Sequence, residues 1–319
     1  MRRLSVATSE EPLRSELFSV DQLRQHARQL AKSHRLVPAR DPNRLLARLA
    51  ANEKLLREYN EQSLRVGNVR RVTPAAEWLL DNFHLIEGQI RMARRHLPRT
   101  FSRELPHLAA GISVNCPRAY DLALELISHV DGRIDASHLT GFIAAYQEIA
   151  PLNLGELWAV PIMLRLALIE NLRRVAVLLD KARKDRDLAD SWVDEMQEIT
   201  EQDPSELVVT VGDLAKSRIP MTQAFVTEFS RRVREKSPSL KLALNWMEER
   251  LSADGVTIEQ LVQSESQSQA AIQVSVGNSI TSLRFLDAMN WREFVEDLSA
   301  VEQALREDPA GVYPGMDFG

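Results

Sequence analysis

Apolar residues recur along most of the chain at intervals of three and four, the spacing that gathers them on one face of an α-helix. The longest apolar run lies near the middle. From Leu157 to Ile169 it is almost unbroken, and Leu172, Val175, Leu178 and Leu179 continue it at helical spacing. This pattern predicts a helix buried all round at first and then on one face, at the centre of the core. A membrane span needs roughly 18 or more uncharged residues. Arg165 interrupts this run and Glu170, Arg173 and Arg174 end it, so the pattern favours a buried soluble helix. Pro161 cannot donate a backbone hydrogen bond, so the helix is expected either to kink there or to begin near it, with Pro161 in the first turn.

The flanking segments read as helices that cover this one. Asp21 is expected to cap a basic amphipathic helix, with Leu23, Ala27, Leu30 and Ala31 as its stripe and Arg24, His26, Arg28, Lys32, His34 and Arg35 on its other faces. Asp41-Pro42 opens a second helix that runs through Tyr59 and breaks at 66–68. Thr73 as N-cap and Pro74 at the first position start a third, placing Trp78, Leu79, Phe83, Ile86, Ile90 and Leu97 on one side. A connector over 98–106 precedes two helices, 117–130 and 136–149, joined at Asp131-Gly132 as an antiparallel hairpin. After the central stretch, a charge run over 180–190 precedes Leu207–Val211, which reads equally as a strand or as part of a short buried helix over 205–216. Helices over 221–234 and 240–251, one starting at Thr257 and a last one over 291–306 complete the pattern.

Within the helix that starts at Thr257, residues 263–282 are nearly free of charge yet rich in Ser, Gln and Asn. Such a face either packs on another helix through small residues or lines a groove. The sum is an all-α fold: a bundle of about ten helices with little or no β-structure. Residues 1–20 are expected as a flexible lead, 21–307 as the helical region with a candidate subdivision near 185–205, and 308–319 as a Pro/Gly-rich exit.

Composition narrows the class. With 44% hydrophobic and 27% charged residues, 319 residues can bury a sizeable core. A net charge of −5 gives no basic field for nucleic acid. The basic helix over 21–35 matches a solvated face, or a surface that meets an anionic membrane or an acidic partner. The lone Cys116 rules out an internal disulfide framework and a cysteine zinc site, which points to a reducing compartment. No apolar leader follows Met1, so a cytoplasmic location is expected for this chain.

Candidate chemistry is sparse. Glu156 and Arg165 lie within the apolar stretch, too far apart to pair along one helix turn, so each needs a partner elsewhere. They read either as a polar network facing a site or as inter-helix salt bridges. His84 and Glu87 stand three apart on one helix face, but no second ligand pair accompanies them, so no metal site is expected. Asp185 and Asp187 form an Asp-x-Asp flanked by cations in a helical pattern and read as a solvated face. No nucleotide-binding glycine loop, nucleophile elbow, His-Glu-x-x-His or Cys-x-x-Cys is present, and no catalytic residue is assigned.

Seven stretches carry a resemblance: Thr73-Pro-Ala-Ala-Glu-Trp-Leu-Leu-Asp-Asn-Phe-His84, Arg103-Glu-Leu-Pro106, Leu152-Asn-Leu-Gly-Glu-Leu-Trp-Ala159, Pro161-Ile-Met-Leu-Arg-Leu-Ala-Leu-Ile-Glu-Asn-Leu-Arg173, Arg218-Ile-Pro-Met-Thr-Gln223, Val274-Ser-Val-Gly-Asn-Ser-Ile280 and Arg306-Glu-Asp-Pro-Ala-Gly-Val-Tyr313. In this order they resemble the N-terminal region of cyclic β-1,2-glucan synthases. The resemblance implies a large bacterial inner-membrane parent with a cytoplasmic N-terminal region, a membrane-embedded inverting transferase using UDP-glucose and a divalent metal, and a phosphorylase-like domain. The chain ends before the membrane segments and the acidic motif of the transferase. It is therefore expected to be a fragment with no cofactor of its own, a helical scaffold whose partners are the transferase and other domains of the parent. Two alternatives stay open. One is a contribution to binding of glucan primer or sugar nucleotide, and the other is a stand-alone interaction protein.

Overall fold

The computed structural model describes residues 12–39, 44–66, 72–217, 219–236 and 240–307. Among them the fold is all-α as expected, with fourteen α-helices and one two-stranded ladder. Two compact units emerge, one formed by residues up to Ala176 together with those from Val274 onward, the other by Val177–Gln273. The openings at Asp41-Pro42 and Arg218, the breaks at 67–68 and Ser237-Pro238, the exit at 308–319 and the first part of the lead lie outside the described residues.

In the first unit, residues 12–19 form no free lead. Ser15 N–H donates to the Ser128 carbonyl (2.9 Å) and Phe18 N–H to that of His129 (3.0 Å), so the segment runs along later structure. Helix α1 (Val20–Ser33) follows. Ser19 caps it, not Asp21: the Ser19 hydroxyl accepts from Gln22 N–H while the Gln22 side chain accepts from Ser19 N–H, a reciprocal box that leaves Asp21 in the first turn. Strand β1 (Leu36–Val37) pairs antiparallel with β2 (His107–Leu108), Leu36 opposite Leu108. Between them come α2 (Arg44–Val66), α3 (Pro74–Asp81), α4 (Phe83–His96) and α5 (Arg99–Glu104), the last inside the expected connector.

The helix expected from Thr73 to Leu97 is broken at Asn82, whose side chain donates to the Trp78 carbonyl (2.9 Å) and accepts from Arg284 (2.6 Å). Trp78, expected on the apolar side, is exposed, whereas Leu79, Ile86 and Ile90 are buried. Thr73 holds the N-cap position, yet its hydroxyl makes no capping bond. Helices α6 (Arg118–His129) and α7 (Ala136–Gln147) form the hairpin anticipated at Asp131-Gly132, and α1 packs on α7.

The central helix α8 (Leu154–Gln202) is longer than the apolar run that announces it. It starts at Asn153-Leu-Gly-Glu156, where Asn153 accepts from Glu156 N–H (2.8 Å) and Glu156 accepts from Asn153 N–H (3.0 Å), a capping box written in the sequence. The helix therefore begins a full turn and more ahead of Pro161 and continues through it. Tyr120, Phe142 and Tyr146, from the hairpin helices of the same unit, are among the largest fully buried side chains.

Helix α12 (Ile258–Ala288) returns to this unit with the nearly uncharged face. Asn278 and Ser282 donate to the carbonyls of Asp131 and Gly132 (3.0 and 2.6 Å), and Ser282 accepts from Ile134 N–H (2.8 Å). The part of that face around Asn278 and Ser282 is thus spent on packing against the hairpin turn, while Gln263, Ser266, Gln267 and Gln273 stay exposed. Gly132 has φ +74°, and a Cβ there would stand 2.9 Å from Ser279 Oγ, so glycine is needed both for the backbone and for the approach. The last expected helix is two, α13 (Trp291–Leu298) and α14 (Ala300–Arg306), because Ser299 turns extended and caps the second.

In the second unit α9 (Leu207–Lys216), α10 (Gln223–Lys236) and α11 (Lys241–Ala253) build a core on Val211, Phe225, Phe229 and Met247 with residues 189–196. The strand reading of Leu207–Val211 fails. Leu207, Thr210, Val211 and Leu214 are buried at helical spacing while Val208 and Val209 face solvent, so burial overrides β-branched propensity. Asp185 accepts from the Thr222 hydroxyl (2.8 Å), which itself accepts from Phe225 N–H at the start of α10. Asp187 accepts from Arg183 (3.1 Å). The Asp-x-Asp is accordingly half-buried structural polarity and not a solvated face.

Leu164 and Leu168 are 1% and 0% exposed. Changing either to Ala is expected to cost about 2–5 kcal/mol through lost burial and the cavity left behind, read by urea melts. Asp185→Ala, which frees one hydroxyl, should cost about 1 kcal/mol. Equal, small losses at both leucines would place the core elsewhere.

Candidate functional site

The polar residues that α8 carries through the core are the natural place to look for chemistry, because a buried charge must be paired or used. Glu156 and Arg165 do not meet. Glu156, which already closes the capping box, also takes a bidentate pair from Arg118 of α6, whose Nη2 lies 2.6 Å from Oε2. That same Arg118 nitrogen donates to the Pro151 carbonyl (2.8 Å), and the guanidinium lies 5.8 Å from the Tyr146 ring centroid. Arg165 points the other way. It donates to Gln89 of α4 (2.8 Å), to Asp287 of α12 (3.0 Å) and to the Pro161 and Leu286 carbonyls (both 3.1 Å). Gln89 closes the triangle by donating to Asp287.

A third constellation, at Glu170, is absent from the sequence reading, which took that residue only as the end of an apolar run. Arg48 of α2 donates to both of its oxygens (3.0 and 2.7 Å), and Asn52 (2.9 Å), Arg173 (3.0 Å) and Arg174 (2.9 Å) join. Burial penalises the Glu170 charge, but the Arg48 hydrogen bonds and the fields of Arg48 and Arg173 outweigh it and hold the carboxyl far below its ordinary 4.5. Next to it, Arg48, Asn52 and Tyr120 line a small cavity, about enough for a water and far below the roughly 300 Å³ of a small-molecule pocket. Its neighbour Asn171 donates to Ser275 (3.2 Å) and Ser279 (3.1 Å) and accepts from Leu13 N–H (2.7 Å).

The metal candidates separate. His84 is exposed, and Glu87 is bound by Arg57 at 2.9 Å. His26, Glu125 and His129 come together instead, with one ligand atom from each within 4.8 Å of the others. Glu125 and His129 at i and i+4 are a signal the sequence offers; their meeting with His26, 99 residues from Glu125, is not.

Fold and site together define a helical module whose core charges are consumed by contacts between its own helices. No protein-family profile matches the chain. Over 311 residues, 97% of its length, it is 33% identical to cyclic β-(1,2)-glucan synthase NdvB of Rhizobium meliloti strain 1021. The resemblance carried by the motifs is borne out: nearly the whole chain is similar to a region of a cyclic β-glucan synthase, and it spans 11% of that protein's length. Among the described residues no helix is long and apolar enough to cross a membrane.

Because the Glu170 carboxyl is depressed in the folded state, its contribution to stability is fully present above the ordinary carboxylate range and is lost as pH falls through and below it. Glu170→Gln should therefore cost about 3–5 kcal/mol at neutral pH, since it leaves the arginines without their anion. The gap to wild type should shrink as pH falls from about 5 towards 2. Melts of both proteins across that range check it, and a gap independent of pH would contradict the assignment.

Proposed function

We propose that the chain is a non-catalytic, cytoplasmic scaffold region of a cyclic β-1,2-glucan synthase, and that the whole protein, held in a bacterial inner membrane, polymerises glucose from UDP-glucose. The nucleotide sugar and any divalent metal of the transfer step belong in this reading to other parts of that protein. One observation carries the proposal: the three charged groups of α8 that sequence and structure single out in the core, Glu156, Arg165 and Glu170, each spend their hydrogen bonds on neighbouring helices. A catalytic or binding group keeps donors or lone pairs for its ligand, whereas these groups set helix positions. The alternative in which the polar face of α12 holds a glucan primer loses support from the same source, because Ser275, Ser279 and Ser282 are buried and bonded to Asn171 and the hairpin turn.

Arg165→Gln in the full-length synthase separates the two. A scaffold role lowers the amount of active enzyme in membranes while KM for UDP-glucose stays within about twofold of wild type, since no uniform binding is removed. The isolated chain should transfer no labelled glucose from UDP-glucose. A KM raised tenfold or more at unchanged enzyme level, or incorporation by the chain alone, would replace the scaffold reading with a binding or catalytic one.

A further inference from the structure

The geometry points to a divalent transition-metal site of the zinc class built from His26, Glu125 and His129, fastening α1 to α6. Glu125 and His129 stand one turn apart on the same face of α6. From α1, His26 brings its Nε2 to 2.8 Å from Glu125 Oε2, and His129 Nε2 lies 3.5 Å from the same oxygen. A tetrahedral ion with bonds of about 2.0–2.1 Å sets its ligand atoms roughly 3.3 Å apart. The three atoms therefore reach ligating positions by shifts on the order of 1 Å, within rotamer adjustment.

The hydrogen bonding of His129 leaves an acceptor free for a cation there. Its Nδ1 lies 2.7 Å from the Glu16 carbonyl oxygen, and because a carbonyl only accepts, Nδ1 must carry the hydrogen. The neutral ring then turns the lone pair of Nε2 towards the Glu125 carboxylate, two acceptors facing one another. A metal ion between them would take a lone pair from each. The outer hydrogen bond to a backbone carbonyl is also the one that histidine ligands use to fix tautomer and ring plane. Phe18 holds that plane from the other side, stacked on His129 with centroids 3.9 Å apart and rings 6° from parallel. The His26 and Glu125 side chains are 21% and 29% exposed, so an ion enters from solvent. Three protein ligands then leave a fourth position for water.

The cluster differs from the buried charges of α8 in one respect: among the described residues no cationic side chain pairs with Glu125 apart from these imidazoles. The site stands independently of the scaffold reading, since it concerns the docking of α1 and not the transfer reaction.

The test uses the whole chain, freed of metal with a chelator and titrated with Zn²⁺ by calorimetry and with Co²⁺ by visible absorption. One equivalent should bind, Co²⁺ should give the intense bands of a four-coordinate ion, and the melting temperature should rise as a ligand of the folded state requires. His26→Ala and His129→Ala should each weaken binding by at least about tenfold and abolish the bands, while His84→Ala leaves both unchanged. Circular dichroism checks that the variants fold. If one does not, the Co²⁺ spectrum of the unaltered chain decides, because a weak six-coordinate spectrum overturns the site. No binding at micromolar Zn²⁺, or binding that survives both histidine changes, overturns it too.

Discussion

A charge left alone in a protein interior costs several kcal/mol, and one helix of this protein carries Glu156, Arg165, Glu170 and Arg174 buried in its core. Four helices of the first unit, α2, α4, α6 and α12, supply the groups that answer them. Glu156 is met by Arg118 of α6, Arg165 by Gln89 of α4 and Asp287 of α12, and Glu170 by Arg48 and Asn52 of α2. Apolar stripes alone leave helix order and register loosely set, because one leucine-rich face packs on another in several ways. Here a slip of one turn at any of these contacts leaves a carboxylate or guanidinium without its partner. The hydrophobic surface drives association, and the ionic groups decide which association is tolerated.

The approach of α12 follows a different logic. Its serines and Asn278 replace charge with small neutral donors and acceptors, which lets the helix come close to the α6–α7 turn and bond its carbonyls directly. Gly132 completes the fit, since any larger residue would meet Ser279 while strained in the left-handed region. Polarity without charge is thus a packing device in this helix, and its composition reports closeness of contact.

Much of this was legible from residue order. The all-α class, the central helix around Leu164 and Leu168 and the hairpin at Asp131-Gly132 depend on local spacing, and local spacing is what a sequence displays; at Leu207–Val211 strand and helix stay open, because five apolar and β-branched residues in a row fit both until burial is known. The capping boxes at Ser19–Gln22 and Asn153–Glu156 are legible too, though Asp21 and Pro161 offer competing start signals close by. The breaks at Asn82 and Ser299 were harder, because Asn82 is held by Arg284 from 202 residues away. The pairings of Glu156, Arg165 and Glu170 and the gathering of His26 with Glu125 were out of reach for the same reason. The need for a partner was visible in each case; its identity depended on tertiary structure.

Asn171 links segments made far apart in time. Its side chain accepts from the backbone of Leu13 and donates to Ser275 and Ser279, while the whole of Val177–Gln273 lies between it and those serines. On a ribosome adding about 5–20 residues per second, that intervening stretch takes roughly 5–20 s to emerge. Through that interval the amino-terminal helices are complete in sequence but lack the strip of α12 that covers Asn171, Arg165 and the hairpin turn. The polar seam of the first unit can therefore be completed only after the whole of the second unit has been made.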